Sequence, residues 1–160
     1  MRTSIFVIFS LMFMTACGGS TSGPAAPSPT PPSTLASLSG TWTGTSMDTS
    51  GQENMTWALT QHGNAMTGTM NISDGGRSLM GSGSMQGTIG ASTATFHMAV
   101  PNGGFSGMMS SCSMSLDGQA RMSDDGHTMT GTYSGHMSGM MSSMQSCGEA
   151  MNDGHFTLTR

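Results

Sequence analysis

A two-residue alternation of apolar and hydroxyl-bearing side chains runs through most of the chain after residue 38. In residues 65–72, the even positions are Met, Gly, Met and Ile, and the odd positions are Ala, Thr, Thr and Asn. Successive side chains of a β-strand point to opposite faces, so this pattern predicts a strand with one apolar and one hydroxyl-rich face. No stretch of the chain after residue 38 shows the apolar spacing that is typical of a helix.

The same alternation recurs in short segments that are separated by turn signals such as His62-Gly63-Asn64. Asp117-Gly118 is either a hairpin turn or a bulge, so the pattern predicts eight or nine strands. Residues 137–153 are expected to form a long loop. The predicted strands are residues 39–47, 53–61, 64–72, 79–89, 92–100, 112–122, 127–136 and a last one around Phe156 and Leu158.

Many short strands must pack as two sheets or close into a barrel, because open sheet edges invite aggregation. Consecutive hairpins favour an up-and-down meander, and glycines at inward positions favour the strong coiling of a small barrel. The sequence therefore predicts an all-β fold, an antiparallel up-and-down β-barrel of about eight strands, for residues 38–160.

The first strands resemble the opening of avidin-like and lipocalin-like barrels. The resemblance lies in Gly40-Thr41-Trp42, in Leu59-Thr60 and in the segment Met66-Thr67-Gly68-Thr69-Met70. It implies an eight-stranded barrel in which Trp42 plugs one end. It extends to the architecture and not to biotin binding, since the later tryptophans that line the avidin site have no counterpart here.

The N-terminus predicts a lipid anchor. A basic start is followed by an apolar run, residues 5–14, that is too short to span a bilayer as a helix. The run ends in Met14-Thr15-Ala16-Cys17, which resembles the lipobox of bacterial lipoproteins. The resemblance implies a signal peptide at residues 1–16, lipidation of the Cys17 thiol, cleavage before it and acylation of the new amine. Gly18, rather than aspartate, then implies the outer membrane by the usual sorting pattern. The alternative is an ordinary secretory signal that is cleaved near Ala16.

Residues 17–37 form a predicted linker that starts at the lipidated cysteine and holds five of the six prolines. It shows no periodic apolar pattern and is typical of a spacer. The chain has four arginines, no lysine and eight acidic residues. With so little positive charge, the chain lacks the basic patch that nucleic-acid binding needs. The predicted partner is the membrane, which the chain would contact through its lipid.

Cys112 and Cys147 are the cysteines that remain beside Cys17. In an oxidising envelope two thiols in one small domain are expected to pair, and a bridge closing roughly 35 residues is worth on the order of 3–4 kcal/mol in the chain-entropy model. The alternative, a redox or metal-binding pair, lacks the Cys-x-x-Cys spacing.

Methionine is the habitual apolar residue of the chain, with 20 copies. Those in phase with the strands are expected in the core, whereas others fall in two loops near the cysteines. Thioether sulfur is a soft ligand that selects Cu(I), often with imidazole, so one hypothesis is a copper site. Its residues would be His136, Met137, Met140, Met141 and Met144. The simpler interpretation is that methionine also serves as the apolar residue of the loops, where it can bind apolar partners without metal.

Nothing in the chain predicts an enzyme. The aspartates lie in turn signals, four of the six directly beside Gly or Asn. No Gly-x-Ser-x-Gly elbow opens a helix, and the histidines are scattered. The leading hypothesis is a non-catalytic binding module, without a cofactor, whose barrel interior holds a small apolar ligand. Copper binding and a structural or interaction role with a filled core are the alternatives. The residues expected to line the interior are Trp42, Trp57, Phe96 and Tyr133.

Overall fold

The structure is a computed structural model that describes residues 37–74, 80–141, 145–148 and 150–160. The predicted signal peptide, Cys17, nearly all of the linker 17–37 and Met144 lie outside these residues. Within the described ranges, no helix has the length and apolar character needed to cross a bilayer.

Eight strands form a closed barrel in which each strand pairs antiparallel with the next along the chain and the last strand pairs with the first. This confirms the predicted all-β, up-and-down barrel. A single turn of 3-10 helix, Gly107–Met109, lies between the fifth and sixth strands. The strands are β1 Gly40–Asp48, β2 Gly51–His62, β3 Ala65–Asp74, β4 Met80–Ile89, β5 Thr93–Val100, β6 Cys112–Met122, β7 Thr128–Gly139 and β8 Ala150–Thr159.

Two local predictions about strand limits are wrong. Asp117-Gly118 is neither a turn nor a bulge, because β6 runs through it and both residues pair with β5 and β7 without a register shift. The loop predicted for residues 137–153 is shorter, since β7 continues to Gly139 along β6 and β8 begins at Ala150. In both places, pairing with a neighbouring strand outweighs the local turn signal.

The inward positions carry one continuous core. Its centre is a cluster of the Trp57, Phe96 and Phe156 rings, with centroids 4.8–5.8 Å apart. Seven methionines surround these rings at 4% exposure or less, whereas Met122, also expected in the core, is only half-buried. The buried methionines are Met55, Met66, Met70, Met85, Met98, Met114 and Met129.

The large side chains of the core lie beside inward-facing glycines on neighbouring strands. Phe96 pairs with Gly118, and Phe156 pairs with Gly131. A Cβ atom at Gly118 would collide with the Phe96 ring, and one at Gly131 would collide with the Phe156 ring. These glycines are therefore the space into which the rings pack.

One end of the barrel, which we call the closed end, holds residue 37, the C-terminus and short hairpins. Trp42 is fully buried there, and its indole Nε1 donates a hydrogen bond of 2.9 Å to the Leu38 carbonyl. The Arg160 guanidinium lies 4.7 Å from the centroid of the Trp42 ring and donates to the carbonyls of Ser37 and Gly126 at 2.8 and 2.9 Å. Trp42 thus occupies the position that the barrel resemblance implies for it.

The opposite end, which we call the loop end, carries the β1–β2 turn, residues 101–111 and the described parts of residues 140–149. Loop 101–111 folds over this end and places the buried Phe105 ring against Gly81 on β4. Backbone hydrogen bonds anchor the loop, with Ser82 N donating to the Gly104 carbonyl at 2.8 Å. An aromatic ring is therefore buried near each end of the barrel.

We predict that Gly118→Ala lowers the free energy of unfolding by about 1–3 kcal/mol, because the new methyl group overpacks the core against Phe96. Urea denaturation measures the change. Gln119→Ala, at an exposed position on the same strand, is the matched control and is expected to stay within about 0.5 kcal/mol of the parent. Equal stability of the two variants would contradict the packing role of Gly118.

Candidate functional site

The four residues predicted to line a ligand site are all buried inside the barrel, where Trp42 pairs with Trp57 across β1 and β2. Trp42 lies at the closed end, and Tyr133 lies towards the loop end, where it meets the β1–β2 turn. Between them, Trp57 and Phe96 contact each other edge to face at 5.2 Å. Phe156, which the prediction omitted from the site, packs against both of these rings.

The buried side chains of the described interior form one hydrophobic cluster. A cavity of about 10 Å³ lies under the hairpin 90–92, next to Leu38, Ala120 and Met129. A cavity of this size holds about one water molecule. Phe105 was also missed as an interior residue, although it is the one aromatic residue in an otherwise glycine-rich loop.

Two polar atoms inside the barrel lack a hydrogen-bond partner among the described residues: Trp57 Nε1 and Ser46 Oγ. Ser46 lies close enough to the Tyr133 hydroxyl to influence its pKa, yet its Oγ makes no hydrogen bond of acceptable geometry. Most buried polar groups in proteins are paired, so these two atoms are the places where the interior could still bind a polar group.

A polar cluster occupies one side of the barrel near the loop end. The Tyr133 hydroxyl donates a hydrogen bond of 3.0 Å to Asp48 Oδ2. Asp48 Oδ1 accepts from the Ser50 backbone N–H at 2.7 Å and from the Ser50 hydroxyl at 2.6 Å, which fixes the β1–β2 turn. Glu53 pairs with Ser46 across β1 and β2 in the same region. The cluster therefore ties the first hairpin to β7.

Burial raises the pKa of the Tyr133 phenol well above its usual value of 10.0. The nearby carboxylates of Asp48 and Glu53 raise this pKa further, and the Ser46 hydroxyl opposes them in part. The phenol thus stays protonated above its usual range and keeps donating its hydrogen bond to Asp48 there.

Cys112 and Cys147 form the predicted disulfide, with a Cα–Cα distance of 5.7 Å. Both cysteines are buried, at 0% and 4% exposure. The bridge joins the start of β6 to the segment that precedes β8, and the Cys147 N–H donates to the Gly139 carbonyl at 3.2 Å. It therefore fixes the second long loop to the loop end of the barrel.

Four of the five residues of the copper hypothesis lie within the described structure. His136 is exposed on the outer wall, where it pairs with Ser115 on β6. Met137, its neighbour on β7, faces the opposite way and packs half-buried against the core. Met140 is 65% exposed, Met141 is half-buried, and Met144 lies outside the described residues. Among described residues, no group of three or more His, Cys, Asp or Glu side chains could hold a metal ion.

A histidine–carboxylate pair lies on the outer wall between β5 and β6. His97 Nδ1 lies 2.9 Å from Asp117 Oδ1, and both side chains are exposed. The prediction placed Asp117 in a turn and missed this contact, because the partner lies on another strand. Shallow grooves of about 500 Å³ run on either side of Phe96 and Asp117. An exposed pair of this kind contributes little to stability.

Comparisons with protein-family models, with curated proteins and with solved structures find no match to this chain. The geometry of the closed eight-stranded antiparallel barrel is consistent with a lipocalin-like or avidin-like barrel. The candidate site therefore rests on its own geometry. The loop end is the part of the barrel that carries polar groups, the disulfide and partly exposed methionines together.

We predict that the chain loses stability as pH rises above about 10, the unfolded-state pKa of tyrosine, because the folded state favours the protonated phenol of Tyr133. This contribution is fully present below that pH and is lost as the phenol ionises. The chain has one tyrosine and no lysine, so tyrosinate absorbance reports Tyr133 alone. We expect this absorbance to appear well above pH 10, together with unfolding.

Asp48→Asn provides the internal test of this prediction, because it removes the nearest negative charge. We expect the tyrosinate transition to move to lower pH in this variant. Asp124→Asn, at an exposed turn position, is the matched control and should leave the transition unchanged. A parent protein whose tyrosine titrates near pH 10 while it is still folded would contradict the burial of the phenol.

Proposed function

We propose that this chain is a lipid-anchored, non-catalytic protein of the bacterial cell envelope whose barrel has a filled core and acts as a structural or interaction module. The observation that carries the proposal is the packing of Trp57, Phe96 and Phe156 in the middle of the barrel. Small barrels either enclose one ligand or are filled by side chains, and these contacting rings support the second case.

The buried aromatic ring near each end supports the same function. Trp42 and Arg160 cover the closed end, and Phe105 is buried under loop 101–111 at the loop end. A partner would then meet the outside of the barrel. The loop end offers the more distinctive surface, since it exposes the apolar side chains of Met108 and Met140. Methionine-rich surfaces adapt to apolar partners because the side chain is flexible and polarizable.

The anchor is proposed from the segment Met14-Thr15-Ala16-Cys17, which resembles a lipobox. Several acyl chains on Cys17 would hold the protein stably in a bilayer, whereas one chain alone binds only marginally. Gly18 supports sorting to the outer membrane. The proline-rich residues that follow would space the barrel from the membrane surface.

A small ligand in the barrel interior is the second candidate function, and one observation favours it. Trp57 Nε1 and Ser46 Oγ are buried without hydrogen-bond partners among the described residues. A bound molecule could satisfy them if the flexible methionines of the core moved aside. Such a ligand would need a polar group as well as an apolar body.

We predict that the full chain, expressed in a bacterium with an outer membrane, incorporates labelled palmitate and fractionates with the outer membrane. Cys17→Ala should abolish both, because it removes the thiol that accepts the lipid. Cys112→Ala serves as a matched control, since it removes a different cysteine and should leave labelling intact. Palmitate incorporation that survives Cys17→Ala would refute the anchor.

Native mass spectrometry of residues 37–160, exported to an oxidising periplasm with copper supplied, tests the role of the barrel. We expect the bare polypeptide mass, less the two hydrogens lost in the disulfide. An organic adduct that is lost in Trp57→Phe would instead establish the small-ligand function. A copper adduct that is lost when Met140 and Met141 are changed to leucine would establish the copper hypothesis. The organic adduct would overturn the filled core, and the copper adduct would overturn the structural or interaction role.

A further inference from the structure

We propose that the exposed methionines Met47, Met108 and Met140 are sites of oxidation to the sulfoxide by peroxides, and that the barrel accepts these oxygen atoms without unfolding. The proposal does not depend on the interaction role inferred above. It rests on how the structure distributes thioether sulfur between solvent and core.

The three methionines present their side chains to solvent to an unusual degree for an apolar residue. Met108 is 73% exposed, Met140 is 65% exposed and Met47 is 45% exposed. Met108 lies in the short 3-10 helix, Met140 lies just after β7, and Met47 lies on the outer face of β1. Oxidation turns a flexible apolar side chain into a polar one, which costs no packing where the side chain already meets water.

The core methionines are shielded from the same reaction. Seven of them are 4% exposed or less, inside a barrel that has no open sheet edge. A peroxide reaches such a sulfur only when the structure opens, and core openings of folded domains approach the cost of global unfolding. Methionine side chains of this protein therefore occur both in a solvent-exposed environment, where peroxide can reach the sulfur, and in a buried one, where it cannot.

A third set lies between these extremes. Met109, Met137 and Met141 are half-buried at the loop end and pack against the core. The backbone around them is held by the buried disulfide and by the hydrogen bond from Met141 N to the Gln145 carbonyl at 2.8 Å. We therefore expect these three to react more slowly than the exposed set and faster than the core set.

The exposed thioethers face no competition from a thiol among the described residues. Cys112 and Cys147 are joined in the disulfide, so neither can supply the thiolate that would react with peroxide first. Thioether sulfur is then the side-chain group on this surface that two-electron oxidants attack most readily.

The step is a transfer of one oxygen atom. A lone pair of the methionine sulfur attacks one oxygen of hydrogen peroxide, so that an S–O bond forms and the O–O bond breaks. The proton of the transferred oxygen moves to the departing oxygen, which leaves as water. Sulfur is oxidised by two electrons and the peroxide is reduced by two, and methionine sulfoxide reductase can restore the thioether.

The test is limited oxidation of the mature lipidated protein, in detergent, with hydrogen peroxide, followed by peptide mapping of the added oxygen at each methionine. We expect Met47, Met108 and Met140 to carry oxygen first, and the seven core methionines to react at least about tenfold more slowly. Near-ultraviolet circular dichroism should show the folded barrel after the exposed set has reacted.

Two triple variants make the test specific. Changing Met47, Met108 and Met140 to leucine should remove the early oxygen uptake at these sites. Changing Met70, Met98 and Met129 to leucine removes as many sulfurs from the core and should leave early uptake unchanged. Leucine replaces methionine with little change in volume, so both variants are expected to fold.

Oxidation of core and exposed methionines at the same rate would overturn the proposal. It would also be overturned if the exposed-site variant took up oxygen at the parent's early rate, or if oxidation of the exposed set alone unfolded the barrel. The proposal would be supported if methionine sulfoxide reductase reversed the early mass increase and peptide mapping detected no oxidised core methionines at that stage.

Discussion

An eight-stranded barrel is too narrow to hold a large side chain at every inward position, and the rest of this structure depends on how the chain meets that limit. Here a glycine stands beside two of the three central rings: Gly118 beside Phe96, and Gly131 beside Phe156. The rings extend over the glycine backbone and reach the barrel axis, where they meet Trp57. The glycines therefore let few aromatic residues fill the whole interior.

Methionine completes this packing. The gaps around a small set of rigid rings are irregular, and an unbranched thioether side chain fills irregular gaps better than a branched one. The same flexibility specifies a unique arrangement poorly. The rigid parts of the structure lie at the ends of the barrel, where Arg160 stacks on Trp42 and where the disulfide and the Tyr133–Asp48 hydrogen bond hold the loop end. The fixed contacts at the two ends of the barrel thus compensate for the flexible methionine packing between them.

The sequence predicts most of this fold, because the two-residue period assigns nearly every side chain to the inner or the outer face. It fails where a local signal competes with a distant partner. Asp117-Gly118 has the composition of a turn, but Phe96 needs the space above Gly118 and His97 contacts Asp117, and neither partner is near in sequence. Two residues of the copper hypothesis show a related effect. His136 and Met137 would share a site in a loop, but they face opposite ways once β7 extends to Gly139.

The candidate site is less predictable than the fold, because inward orientation does not say which inward residues meet. Trp42, Trp57, Phe96 and Tyr133 are all buried, but their contacts depend on strand register: Trp42 pairs with Trp57 across β1 and β2, and Trp57 contacts Phe96. Packing then assigns two roles to one residue type. A methionine at an inward strand position is buried in the core, whereas Met108 and Met140 expose their sulfur to solvent, although the side chain is the same. The outer wall is rich in hydroxyl groups and poor in charge. The exposed methionine sulfurs are therefore the most distinctive chemical groups on the surface of this barrel.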